Sequence, residues 1–412
     1  MSLDADAATA AYLSTLSPAA ITRSNGYFEG GYWLLLWDCV VALLVAWLLL
    51  HTRLAVRMRE WAQRWTPRPN LQTALYAIQY LMVTTVLSLP WSAYEGYVRE
   101  HRYGLSNQTI WGWLGDQAKL LLLLLIFGSV IIIAVYALMR RAHRYWWLWS
   151  ALVVMAVLAF ADTIAPAYLE PIFNHFYVLA DSPLKQRLLS LARANAIPAE
   201  QIYEFDASKQ TTKMSAHVSG LFGSTQISLN DNLMRRASPE EIEAVLGHEM
   251  GHYVMNHEVE GLVYFGLLIV AGFGFLSWSS QRLLARFGSR WGFHAVEDPA
   301  GLPLLVALLT LYLLLLTPVT NSITRSMEAQ ADAFGLDAAR QPDGFAQAAL
   351  HLSEYRKMRP GAIEEFIFFD HPSGWNRIHR AMVWKAENIG APDIVAFDAS
   401  HPGAPGTGAA KH

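Results

Sequence analysis

The chain has 412 residues, of which 53% are hydrophobic, 12% aromatic and only 16% charged, proportions that exclude an ordinary soluble domain and favour a membrane protein. A formal net charge of -3, with the basic residues in short clusters, argues against nucleic acid as a partner. Cys39 is the one cysteine and lies in an apolar run, so neither an intrachain disulfide nor a thiolate cluster can form, and any metal must be held by histidine and carboxylate.

Six runs approach the roughly 20 apolar residues needed to cross a bilayer: Tyr32 to Leu50, Leu71 to Trp91, Lys119 to Met139, Trp146 to Ala165, Val259 to Trp278 and Leu302 to Val319. The first is too long and too late for a cleaved signal peptide and reads as a true span. Residues 1–166 therefore form a membrane region with four spans, and 259–319 a two-span hairpin. Residues 167–258 and 320–390 should together make one extramembrane domain. In it, "DSPLKQRLLSLARANAIPAE" has helical spacing after Ser182, "QIYEFDA" reads as a strand and "SAHVSGLFGSTQISLN" as a hairpin. "SPEEIEAVLGHEMGHYVMNHEVEG" opens a long helix, with Ser238 and Glu241 as a capping box. Residues 391–412, rich in Pro, Gly and Ala, read as a disordered tail.

His248 and His252 are four apart on that helix, so both imidazoles leave one face at the separation a tetrahedral zinc needs. Glu249 sits beside the first of them, in the general-base position of H-E-x-x-H metallopeptidases. A motif that supplies its third histidine six residues on would carry glycine at 255 and histidine at 258, but these are Met255 and Glu258. His257, about 140° round a continuous helix from His252, is expected to point away. After the sixth span, Glu328 and Asp332 again lie four apart on a predicted helix. Glu328 can complete the zinc shell while Asp332 accepts the free ring N–H of a ligand histidine. The two-span hairpin returns the chain to the side of His248. Two surface histidines, or an exposed Glu–Asp ladder, are the plain alternatives, and with them a transporter or channel bearing a chance pentad.

The segments "SLPWSAYEGYVREHRYGLSNQT", "IAPAYLEPIFNHF", "YEFDASKQTTKMSAHVSG", "EEIEAVLGHEMGHYVMNH", "TRSMEAQADAF" and "DHPSGWNRI", in this order from about Trp33 to Glu387, resemble the type I CAAX prenyl proteases, integral-membrane zinc peptidases of the gluzincin group. The resemblance implies a mainly α fold, a multi-pass membrane helical bundle enclosing a chamber with a small α+β zinc metallopeptidase domain. It implies one zinc per chain on His248, His252 and Glu328, Glu249 as base, and His371 near the substrate. Arg325 and Arg377 match family arginines, with roles in pairing Asp332 or ordering the C-terminal helix. The substrate would be a peptide or membrane protein, lipidated or unmodified, met among membrane lipids; membrane-protein quality control is the rival assignment to processing of prenylated C termini.

Two departures stand out. Where eukaryotic members carry Asn-Ala-Tyr on the strand beside the zinc, this chain has Ser215-Ala216-His217, which leaves Ser215 and His217 as substrate-binding candidates and His217 as a possible oxyanion donor. Those members also have seven spans and a cytosolic zinc domain, against six spans here. Eleven arginines (53, 57, 59, 64, 68, 140, 141, 144, 282, 286 and 290) follow the first, third and fifth spans, against Arg23, Arg99 and Arg102 in the opposite short segments. Positive charge marks the cytoplasmic side. The expectation is a bacterial inner-membrane protein with a periplasmic catalytic domain.

Overall fold

The computed structural model describes residues 3–219 and 225–391, and within them six helices are long and apolar enough to cross a membrane. They are α2 (Pro18–His51), α4 (Pro69–Arg102), α5 (Ile110–Arg141), α6 (Trp146–Phe173), α10 (His257–Trp291) and α11 (Pro299–Ala339). Each expected span lies inside one of them. The helices run well beyond a bilayer's thickness: α11, at 41 residues, is about 60 Å long and carries the chain from the membrane into the extramembrane domain without a break. Each span packs on the next in chain order, and the sixth packs back on the first, closing a ring. Only 11% to 28% of the most apolar window of each helix is buried. In a closed ring, so little burial leaves side chains exposed on the lipid face and on an inner face, and the inner faces enclose a chamber.

Between α2 and α4 lies α3 (Leu54–Trp65), 12 residues and about 18 Å, too short to cross a hydrocarbon core of about 30 Å. It buries Ala55, Val56, Met58 and Ala62 and exposes Trp61 and Trp65, the division of an interfacial helix. The loops after the first, third and fifth spans meet at this end. Arg53 Nε donates to the Arg290 carbonyl at 3.3 Å, Arg59 pairs with Asp298, and Arg140 Nη2 donates to Asn70 Oδ1 at 2.6 Å.

The opposite end carries the extramembrane domain. Its sheet has strands β1 (Phe176–Val178), β2 (Ile202–Phe205), β3 (Ala216–Ser219) and β4 (Gln226–Asn230) in the order β1-β2-β4-β3. The β2–β4 pair is parallel and the other two are antiparallel, which leaves β3 at an edge. The expected β3–β4 hairpin pairing is present; its connection lies outside the described residues, as does the expected tail beyond Ala391. Helix α7 (Pro183–Ala194), capped by Ser182, packs its Leu188 and Ala192 into a core with Ile202, Ile227 and Leu229 of the sheet. Helices α8 (Asp231–Arg236), α9 (Pro239–Val254), α12 (Pro342–His351), α13 (Ala362–Phe368) and α14 (Gly374–Glu387) complete the domain. The N-terminal α1 (Ala5–Ser14), which the sequence reading placed with the membrane region, docks here instead, with Ala8 and Tyr12 in a core with Phe345, Ile378 and Met382.

The expected capping box at Ser238 and Glu241 opens α9, but the expected long helix does not form. The chain stops at Val254, turns through Asn256 in the left-handed region (φ 55°) and restarts as α10. Asparagine tolerates that conformation because its short polar side chain crowds the backbone little.

Helices α9 and α11 approach unusually closely. A Cβ on Gly251 would stand 2.9 Å from Ala331 Cα, and one on Gly335 2.7 Å from the His248 backbone nitrogen. Only glycine fits at these positions, and their spacing brings His248 and His252 against Glu328. Gly335→Leu is expected to force the helices apart, destabilising the fold by roughly 1 to 3 kcal/mol through overpacking alone; thermal unfolding in detergent measures it.

Candidate metal centre and active site

One ligand atom from each of His248, His252 and Glu328 lies within 4.8 Å of the others. His248 Nε2 is 3.2 Å from His252 Nε2 and 3.2 Å from Glu328 Oε2, and His252 Nε2 is 3.4 Å from Glu328 Oε1. The buried Glu328 Oε2 makes no hydrogen bond despite that proximity. Two imidazole nitrogens and a carboxylate aimed at one point, with a buried oxygen left unpaired, fit a divalent cation with a fourth position open to water. His248 and Glu328 are buried and His252 is half-buried, so the point faces a cavity and not bulk solvent.

Behind His248, its Nδ1 lies 2.8 Å from Asp332 Oδ1. Asp332 is fully buried and receives Arg377 on both oxygens, with Nε to Oδ2 at 3.0 Å. Burial lowers the His248 pKa, but the neighbouring Asp332 and Glu328 carboxylates outweigh it and leave the imidazole more basic than usual. Burial pushes the Glu249 carboxyl above its ordinary range, while positive charge on His248 and His252 pulls it back. A carboxylate of raised basicity beside a cation point is suited to receive a proton from water.

Of the two arginines weighed for Asp332, Arg377 meets it and Arg325 does not. Arg325 Nη1 donates to the Glu365 carbonyl at 2.9 Å and also to the Phe369 carbonyl, fastening the end of α13 just before His371. Glu365 holds the far side of that turn by accepting from Ser373 N at 3.0 Å and Asn376 Nδ2 at 2.8 Å. His371 is thereby set with Nε2 3.3 Å from Glu328 Oε2 and Nδ1 2.9 Å from Asp370 Oδ1. Burial lowers its pKa against the opposing pull of the Asp370 carboxylate. His371, His248, Glu249, Ser215, Tyr355 and Arg356 line one cavity of about 210 Å³.

Edge strand β3 runs alongside this cavity. Ser215, just before β3, lines it, whereas His217 turns to Glu170 at the end of α6, Nε2 to Oε2 3.3 Å. His257, expected to point away, does the reverse: the restart at Asn256 swings it back until its Nδ1 lies 2.9 Å from His252 Nδ1. The sequence reading missed Glu170, Tyr355, Arg356 and Glu365 as site residues. Glu170 stands inside the quoted "IAPAYLEPIFNHF", so the signal was present; the others carry no local pattern.

A cation point beside a half-buried carboxylate, in a domain joined to a ring of membrane-capable helices, is the arrangement of a membrane-embedded metallopeptidase. Residues 179–385 match peptidase family M48, and residues 5–175 match the CAAX prenyl protease N-terminal region, described as having five membrane helices; the chain belongs to family M48. It is 28% identical over 335 residues to the uncharacterized metalloprotease YhfN of Bacillus subtilis, covering 81% of this chain and 78% of that one. It is 31% identical over 274 residues to CAAX prenyl protease 1 of Saccharomyces cerevisiae, covering 61% of this chain and 59% of that one. The fold matches the crystal structure of S. mikatae Ste24p with a TM-score of 0.75 at 23% identity, over 89% of each chain. The protein is accordingly a multi-pass membrane metallopeptidase of mainly helical fold, and its family implies a metal cofactor.

The two arginines should separate in their effects. Asp332→Asn is expected to weaken metal binding by about 10 to 100-fold, as loss of a ligand's outer partner does. Arg325→Ala should leave metal affinity unchanged and lower turnover through His371. Chelator competition and peptide hydrolysis, measured on the same preparations, distinguish them.

Proposed function

We propose that the protein is a zinc-dependent endopeptidase of the bacterial inner membrane, acting on extended segments of membrane-associated proteins, with His248, His252 and Glu328 holding one zinc. The observation that carries this is the convergence of those three side chains beside half-buried Glu249 and edge strand β3. When bound, zinc supplies a Lewis acid that brings the pKa of water near neutrality. Glu249 takes the proton of the attacking water and passes it to the leaving amine. The free edge of β3 pairs with the substrate backbone by strand addition, which depends on main-chain groups and is indifferent to the Ser215-Ala216-His217 replacement. An N–H of His371 steadies the oxyanion as it forms. His217 is engaged by Glu170 and has no role in the chemistry in this reading.

A lipidated substrate is favoured by one separate feature. Between α6 and α10 lies a cavity of about 580 Å³, walled by Met155, Leu158, Leu262 and Phe265 with Asp162 and Glu258. It is large and apolar enough for an acyl or prenyl chain. Faster cleavage of a farnesylated peptide than of its unmodified twin supports that reading, and equal rates favour quality control of unmodified membrane proteins.

The arginine-rich loops gather at the end remote from the metal-site residues, and by the positive-inside tendency this supports a periplasmic peptidase domain. With Cys39→Ser as background, single cysteines at Ser238 and Ala142 report this through an impermeant thiol reagent on intact cells. Position 238 is expected to label and 142 not; the reverse overturns the assignment.

For the chemistry, Glu249→Gln is expected to bind one zinc per chain while losing about 10² to 10⁴ in turnover, because only the base is removed. Undiminished peptidase activity in that variant would exclude the mechanism.

A further inference from the structure

The pairing of His252 with His257 has a direction. Two Nδ1 atoms 2.9 Å apart share one proton: one ring donates and the other accepts. The rings stand edge to face, centroids 4.9 Å apart at 72°, and His257 is only 3% exposed, so solvent offers its ring no substitute partner. The far nitrogen of His257, Nε2, faces Gln330 Oε1 at 3.5 Å. Gln330 lies on α11, two residues beyond Glu328, so the chain of contacts that starts on one ligand helix ends on the other.

We propose that His257 is a positioning residue for the metal site: its unprotonated Nδ1 accepts the Nδ1–H of His252 and holds that imidazole in the tautomer whose Nε2 is free for the cation. The opposite direction fails on chemistry. Were His257 the donor, His252 Nδ1 would be the acceptor and its single proton would sit on Nε2, blocking the ligand position. With the direction fixed, His257 carries its own proton on Nε2 and presents it to Gln330, so each nitrogen of the relay has a partner.

This gives the two ligand histidines unlike supports. His248 leans on a carboxylate whose charge Arg377 balances, whereas His252 leans on a neutral ring. A second carboxylate at position 257 would fix His252 equally well but add a negative charge beside the cation and weaken its pull on bound water. A neutral imidazole orients without that effect. The left-handed turn at Asn256 is what makes the arrangement possible, since an uninterrupted helix would send the side chain of residue 257 to another face.

The inference rests on His248, His252 and Glu328 as the zinc site, and the experiment separates the two. On the full-length protein in detergent, zinc affinity is measured by chelator competition for wild type, Glu328→Ala, His257→Phe and His257→Gln. Phenylalanine keeps the ring's bulk and removes the acceptor; glutamine restores an acceptor oxygen. His257→Phe is expected to lose about 10 to 100-fold in affinity, the range for an outer partner of a ligand histidine, with His257→Gln recovering much of the loss. Nitrogen NMR of 15N-histidine wild-type protein loaded with zinc should show His257 protonated on Nε2 alone. Affinity of His257→Phe within twofold of wild type, or a His257 proton on Nδ1, overturns the proposal. Should His257→Phe fail to fold, the wild-type tautomer decides. Unaltered zinc binding by Glu328→Ala would instead overturn the underlying site.

Discussion

The structure depends on one steric constraint, the near-contact of α9 with α11. Two helices with ordinary side chains at their contact stand 8 to 10 Å apart. Here glycines at 247 and 251 on one helix and at 335 on the other, with Ala331, let the backbones meet. The ligand side chains are short, two imidazoles and a glutamate, and they converge only because the helices carrying them touch. The constraint also works over distance. Since α11 is one rod from the membrane into the peptidase domain, the placement of Glu328 and Asp332 is tied to the packing of the sixth span in the ring.

The close approach exposes the site to a second difficulty, that of burying charge. Glu328 and Asp332 are both buried, and an isolated carboxylate in such surroundings would shed its charge by taking up a proton. Arg377 answers Asp332 from α14, while the histidines answer Glu328. Helix α14 is in turn covered by α1, whose Tyr12 also donates to Asp343 of the adjoining α12 at 2.7 Å, so the far N-terminus helps to hold the helix that neutralises the centre. A comparable link joins membrane and sheet. Lys213, just before β3, reaches Glu100 at 2.9 Å and Tyr27 at 3.1 Å, on the ends of α4 and α2. The edge strand is thus moored to the rim of the ring beneath it.

What could be read in the sequence follows from the range of the interactions involved. The six spans, the capping box at Ser238 and the His248, Glu249, His252 face are local periodicities, and all appear where expected. Glu328 and Asp332 were legible by one further step, a two-span hairpin that returns the chain to the same side. The error at His257 came from extending a helical period across Asn256, a residue that can take positive φ without strain and so gives the eye no breaker as loud as glycine or proline. Arg377 meets Asp332 across 45 residues, and no period links them, so the choice between Arg325 and Arg377 needed the fold. The docking of α1 was hidden for the same reason: an Ala-rich ten-residue helix buries Ala8 and Tyr12, but its partner lies more than 300 residues on.

That docking bears on topology more strongly than any count of apolar runs. Helix α1 packs against α14, so the chain before the first span and the chain after the sixth are on one side of the membrane. The number of crossings between them must then be even. The same holds for the N-terminal region alone, because α1 and strand β1, at its two ends, both belong to the peptidase domain. Four crossings satisfy this and five do not, although the matched N-terminal region is described as having five membrane helices. Helix α3 is where the difference falls. Its 12 residues are too short to span, it lies with the arginine-rich loops, and its exposed tryptophans suit the headgroup layer. A chain that gained a full crossing at α3 would carry α1 to the far face and strip Tyr12 from Asp343, so the parity of the spans and the integrity of the peptidase domain are one requirement.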